Sequence, residues 1–138
     1  MPCLSDNFNP QIGPLINLGV APANSLAAGV APAVQVPVFA ALIDTGASLT
    51  CIAPNLVTAI GLQPIGMRPM ASATHAIPVR VFLVDLLLTF GSVSHIISSL
   101  QVMEFNPHNS PFQMLLGRDV LCRGVFTMSF DGHYTLSL

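Results

Sequence analysis

Asp44 is the residue of this chain that is hardest to place: it stands directly after an apolar run, Ala41-Leu42-Ile43, and directly before Thr45-Gly46-Ala47-Ser48. Such a run reads as a buried strand, and Asp and Gly punctuate strand ends, so the backbone is expected to turn sharply at the acid. Desolvating a lone carboxylate costs far more than one hydrogen bond returns, so Asp44 needs compensation from its surroundings. Gly46 lets backbone approach the carboxyl closely, and Thr45 carries a donor and an acceptor that can fix its geometry. Chemistry is a common reason for keeping an acid in such a place. Taken alone, Asp-Thr-Gly also fits an ordinary turn of a β-protein.

The rest of the composition limits what the acid can serve. A chain of 138 residues is long enough for one domain with a real core. Hydrophobic residues make up 52% and charged residues 7%, and four arginines without any lysine stand against six acids, for a formal charge of -2. No basic patch is available to hold phosphates, so nucleic acid is not an expected partner. A mean hydropathy of +0.71 and the absence of charge from residues 7–43 raise the question of a membrane span. Pro10, Pro14, Pro22, Pro32 and Pro37 interrupt that segment, whereas a spanning helix needs about 20 unbroken apolar residues. No transmembrane span is expected. Met1-Pro2-Cys3-Leu4-Ser5-Asp6 lacks the positive region of a signal peptide, which makes a cytoplasmic location the expectation. Cys3, Cys51 and Cys122 are odd in number and far apart, matching neither a disulfide framework nor a metal motif. Three reduced thiols, no metal and no cofactor are expected.

Along the chain, residues 1–13 read as a loose N-terminal arm ahead of a single domain at 14–138. Residues 15–20 form a first strand, 21–32 a long connection rich in Ala, Pro and Gly, and 33–43 a second strand with Val34, Val36, Val38 and Ala40 on one face and Pro37 suited to an edge. A short strand at 49–52 precedes a helical turn at 54–60, with Pro54 at its first position, Gly61 as its stop and Leu62 tucked back against it. Residues 68–74 and 77–89 carry the longest β-signal, a hairpin about His75 and Ala76. Its second arm begins by alternating and becomes continuously apolar, so its far end should enter the core and its near end project. A strand at 93–105, another at 112–116, a short helix at 119–123 and a closing hairpin, 125–130 and 133–138 about Asp131-Gly132, follow. The expected class is all-β: a closed barrel with one or two short helices.

Two segments then combine. Ala41-Leu42-Ile43-Asp44-Thr45-Gly46-Ala47-Ser48, with Met114-Leu115-Leu116-Gly117-Arg118-Asp119-Val120-Leu121 late in the chain, resembles the retropepsin-like aspartic proteases. That family has one Asp-Thr-Gly-Ala segment, a mid-chain flap hairpin, and a late apolar-apolar-Gly-Arg-Asp/Asn segment before a short helix. The likeness implies the acid-protease barrel with a flap, Asp44 as the catalytic aspartate, and Thr45 bonded to the opposite subunit beneath the active site. It implies that Gly46, Ala47 and Ser48 present backbone to an extended peptide, that Leu49, Cys51 and Leu115 wall the substrate pockets, and that Gly117, Arg118 and Asp119 are structural. The flap tip would supply Ala73, Thr74 and His75. Two departures stand out. Some viral members carry an acid at the position of Ser48, which pairs with the equivalent of Arg118; here Arg118 must turn to carbonyls or to the surroundings of Asp119. The tip, Ala71-Ser72-Ala73-Thr74-His75-Ala76-Ile77, is not glycine-rich, and His75 is either solvated or a group that changes charge in the working range.

Amide hydrolysis by this route uses two carboxyls that share one proton. Asp6, Asp85, Glu104, Asp119 and Asp131 are the other acids, and none lies in a second Asp-Thr/Ser-Gly context. The second carboxyl then comes from Asp44 of an identical subunit, so the expected assembly is a homodimer acting on a peptide or protein substrate. The closing hairpin alternates Phe126, Met128, Phe130, Tyr134, Leu136 and Leu138 with small polar residues, which suits pairing between subunits or packing within one. Two rival readings compete: a catalytically silent retropepsin-like module for dimerisation or peptide binding, and a hydrophobic membrane-associated β-domain.

Overall fold

A computed structural model of the protein describes residues 2–26, 35–71 and 74–138. Their elements run β1 (Cys3–Asn7), β2 (Leu15–Pro22), β3 (Val38–Ile43), β4 (Cys51–Ile52), α1 (Pro54–Ile60), β5 (Gly66–Ala71), β6 (Ala76–Phe90), β7 (Val93–Glu104), β8 (Met114–Leu116), α2 (Arg118–Leu121), β9 (Val125–Met128) and β10 (His133–Ser137). Hydrogen bonding links β2, β3, β8, β4, β7 and β6 in that order. β2 also pairs with β6, from Gly19↔Leu87 to Pro22↔Val84, so these strands close into a barrel and β5 hangs outside it on β6. Closure removes the unpaired edges that an open sheet would present.

The interior is filled by side chains that the apolar runs place at alternate positions. Leu18, Val20, Phe82, Leu86, Met114 and Leu116 are fully buried, each contributing roughly 1.5–3 kcal/mol relative to exposure. β6 behaves as its composition requires: Ala76, Ile77 and Pro78 are exposed, whereas Val84, Leu86 and Leu88 are completely covered. Asp85 lies buried within that run because β6 and β7 slip register there, between Val84 and Leu86. Ser99, whose φ is +53°, donates its N–H to Asp85 Oδ1 at 2.9 Å, and Leu26 donates to Oδ2 at 3.0 Å. The extra residue of the bulge thus provides a donor for a carboxylate that could not otherwise be buried. α1 ends as its sequence requires. Gly61 is left-handed at φ +69°, and Leu62, buried, donates to the Val57 carbonyl at 3.0 Å.

Several expectations need correction. The arm at 1–13 is not loose throughout: Cys3–Asn7 forms β1, paired antiparallel with β10 from Cys3↔Ser137 to Asn7↔His133. Its inward residue, Leu4, lies opposite Leu136, and the Ser5 and Thr135 hydroxyls bond at 2.8 Å. Together β1, β10 and β9 form a second, small sheet. The strand expected at 33–43 is described only from residue 35, and within the described residues β3 covers Val38–Ile43. The inward face of β3 is Phe39, Ala41 and Ile43, while Val38 is exposed. β3 lies between β2 and β8 rather than at an edge, and Pro37 just precedes it. Part of the connection expected at 21–32 lies outside the described residues, although Ala21 and Pro22 end β2. The β5–β6 connection spans 72–75, since Ala76 already pairs with Ala71. Finally, Tyr134, Leu136 and Leu138 pack into their own core with Phe126, while Met128 and Phe130 are exposed. The apolar face of β10 is therefore covered within one chain.

Candidate active site

The two motif segments meet because β3 and β8 run side by side and parallel, pairing Ala41↔Met114, Leu42↔Leu115 and Ile43↔Leu116. The ladder continues into the turn, where Asp44 N–H donates to the Leu116 carbonyl at 3.0 Å. Beyond it Asp44 is half-buried. Its Oδ1 accepts from Gly46 N–H at 2.9 Å, and its carbonyl accepts from Ala47 N–H at 3.2 Å. A methyl group on Gly46 would come 3.2 Å from that same oxygen, so the small residue lets the backbone donor reach the carboxylate.

The neighbouring loop braces this turn. Arg118 donates from Nη1 to the Thr45 carbonyl at 2.8 Å and from its backbone N–H to the Ala47 carbonyl at 2.9 Å. This is the carbonyl bonding that Ser48 leaves open to it. Asp119 accepts from Thr50 N–H at 2.9 Å and from the Thr50 hydroxyl at 2.8 Å, and that hydroxyl in turn accepts from Gly117 N–H at 3.1 Å. Gly117 approaches so closely that a Cβ there would lie 2.6 Å from the Leu49 carbonyl carbon. Thr50, fully buried, is the hub that sequence reasoning missed. The Thr45 side chain is exposed, and its hydroxyl has no partner among the described residues.

The β5–β6 hairpin completes a groove over this turn. One pocket of about 580 Å³ lies between Gly46–Leu49 and Arg68–Ala71. A second, of about 660 Å³, lies between the hairpin residues Ile77, Pro78 and Val79 and the segment containing Phe105 and His108. Cys51, Met70 and Leu115 line both. The expected residues Ala47, Ser48, Leu49, Cys51 and Leu115 are thus brought together. Thr74 and His75 line neither pocket; they are exposed at the hairpin tip, with Thr74 Oγ1 2.9 Å from His75 Nδ1. Ala73 lies outside the described residues. Hairpin side chains that do line the groove, Arg68 and Met70 among them, were missed, and the signal available was the two-residue alternation along β5. Burial, and then the charges of Asp119 and Asp44, push the Cys51 thiol up to about 11, so it stays protonated.

The remaining acids are engaged elsewhere. Asp85 holds the bulge, Asp119 holds Thr50, Glu104 pairs with Arg80, Asp131 accepts from the Ser129 hydroxyl, and Asp6 accepts from Asn7 N–H. Among the described residues no group of three or more His, Cys, Asp and Glu side chains is placed to hold a metal ion. No helix among them is long and apolar enough to cross a membrane.

Comparison with known proteins agrees with this architecture. A search of curated protein sequences gives no match. Among solved structures, the fold is similar to a retropepsin-like aspartic protease from Rickettsia conorii, with a TM-score of 0.63 over 97% of this chain and 89% of that one, at 13% identity. A family model described as aspartyl protease matches residues 29–120. That match spans β3, the turn at Asp44, the hairpin and the Gly117–Asp119 loop, and by it the chain belongs to the aspartyl protease family, in the retropepsin-like form of the fold.

Proposed function

We propose that the protein is an aspartic endopeptidase, active as a homodimer in which each subunit contributes one Asp44. The observation that carries this reading is the setting of Asp44: a half-buried carboxylate at the end of a barrel strand, held by the Gly46 N–H, in a turn whose next residues, Gly46–Leu49, line a groove under the β5–β6 hairpin. In the dimer, like charges that close cannot both ionise, so the pair keeps one proton. The ionised carboxyl takes a proton from water as the oxygen attacks the scissile carbonyl carbon, and the protonated carboxyl gives its proton to the carbonyl oxygen. Collapse of the tetrahedral adduct breaks the C–N bond, with a proton delivered to the leaving amine. The backbone of Gly46, Ala47 and Ser48 binds the substrate main chain, and Leu49, Cys51 and Leu115 wall its side-chain pockets. The β5–β6 hairpin acts as a flap that excludes water, with Thr74 and His75 at its tip. The exposed Thr45 hydroxyl is free to bond across the two-fold axis, which supports the dimeric form.

The test is hydrolysis of a diverse peptide mixture by wild type beside Asp44→Asn. That substitution keeps size and removes the acid-base function, so cleavage should be nearly abolished while folding is unchanged. Substantial cleavage by the variant would sink the assignment. Chelators should have no effect, and peptides with a hydroxyl in place of the scissile carbonyl should inhibit.

A further inference from the structure

We propose that Arg68 makes this site select an acidic substrate side chain, glutamate in particular, in the pocket between the Asp44 turn and β5, beside a large apolar side chain in the neighbouring pocket; this rests on the peptidase reading above. Alternate residues of a strand share a face. Met70 packs with Cys51, Val81 and Met103 on the groove floor, so Arg68, two residues earlier, turns to the same side. Its guanidinium reaches Gln101 of β7. With the Gln101 amide oxygen toward it, that oxygen accepts from Nη1 at 3.2 Å and from Nε at 3.3 Å.

A neutral amide leaves the guanidinium charge uncompensated. The other arginines do not line this pocket: Arg80 pairs with Glu104 and lies 5.4 Å from the Phe82 ring centre, Arg118 donates to the Thr45 carbonyl, and Arg123 donates to the Asp119 carbonyl. The pocket that Arg68 lines contains no acid, while Leu49, Met103 and Leu115 give it apolar walls and Ser48 adds a hydroxyl. A glutamate fits that distribution, its methylenes against the walls and its carboxylate on the planar guanidinium. The second pocket has the opposite character. Its acid, Glu104, is already paired with Arg80, and although Asn106 and His108 contribute polar groups, most of the lining is apolar, Ile77, Val79, Phe105 and Leu115 among it, so a bulky apolar side chain is preferred there.

The experiment compares two peptides that differ only by Glu or Gln at the position occupying the Arg68 pocket, identified first from the cleavage pattern of a randomised library. Wild type should cleave the Glu peptide roughly 1.5- to 5-fold faster in kcat/KM, as expected for an exposed charge pair. In Arg68→Gln the ratio should fall to near one, and in Arg68→Glu it should invert in favour of a Lys peptide. Equal rates for Glu and Gln with wild type, or a preference that survives Arg68→Gln, would overturn the role of Arg68 while leaving the peptidase intact. Calorimetric binding of the same two sequences, with a hydroxyl in place of the scissile carbonyl, separates the two failures. A Glu preference in binding without Asp44-dependent cleavage rejects the peptidase alone, whereas equal binding rejects the selectivity.

Discussion

Thr50 is the residue on which the loops around Asp44 depend most. Its buried hydroxyl donates to Asp119 and accepts from Gly117 N–H, so Thr50→Val keeps the shape but orphans a backbone donor and a carboxylate oxygen. That should cost about 1–3 kcal/mol in urea denaturation, and Thr50→Ser should restore most of it. A Val variant as stable as wild type would mean that the network contributes nothing. Asp44, Gly117, Arg118 and Asp119 were legible in the sequence because each sits in a short motif with fixed neighbours. Thr50 was not: a single hydroxyl among apolar residues has no period, and its partner is distant in the chain. Cys51 gives a second test at this scale. Its thiol is pushed up to about 11 from 9.0, so the favourable contribution of the buried neutral form is complete below pH 9 and is lost as pH rises through about 11. Iodoacetamide at pH 8 should therefore modify the exposed Cys3 and Cys122 and spare Cys51, as read by mass spectrometry of the intact and digested protein.

The two hairpins call for opposite outcomes when cut. β10 and the residue after it bury Tyr134, Leu136 and Leu138, and the Tyr134 hydroxyl donates to the Leu15 carbonyl at 2.9 Å, tying the small sheet to the barrel. Three such side chains at roughly 1.5–3 kcal/mol each approach the whole stability of an ordinary domain. Truncation after Gly132 should leave an unfolded chain by circular dichroism, and a folded monomer would mean that β10 belongs to an interface instead. The tip of the β5–β6 hairpin is exposed and holds little core, so deleting residues 74–76 should spare folding and cut peptidase activity severely; normal turnover would place the flap elsewhere. The strands β2, β6 and β7 and the helix α1 were readable because their apolar periods and punctuation are local. β1 was not, because Cys3–Asn7 is mostly polar and becomes a strand only by pairing with residues at the far end of the chain. The inward face of β3 was misjudged for a related reason. Val36 and Val38 suggest one face by composition, but parallel pairing with β8 turns Ala41 and Ile43 to the core.

At the scale of the whole molecule, the barrel is complete in one chain but the proposed chemistry is not. One subunit supplies one Asp44, and its other acids make their bonds elsewhere, to backbone, hydroxyl or arginine partners, with none of them, among the described residues, bonded to the Asp44 carboxylate. What one chain leaves unused is consistent with a second copy: the exposed Thr45 hydroxyl beside Asp44, and β9 at the edge of the small sheet with Val125 and Met128 exposed and Phe130 fully so just beyond it. An unpaired strand edge carrying apolar side chains is a surface that proteins usually cover. If the site is shared, peptidase activity per chain should fall on dilution as the dimer dissociates, in step with the sedimentation coefficient. A sharper consequence comes from mixing. Asp44→Asn chains should fold and pair normally, so equal amounts of wild type and variant, exchanged to equilibrium, place about half of the wild-type chains in heterodimers with one competent carboxyl. Activity per wild-type chain should then drop to about half, and further as the variant is added in excess. Constant activity across both dilution and mixing would mean that a single chain performs the hydrolysis, and the two-subunit mechanism would have to be given up.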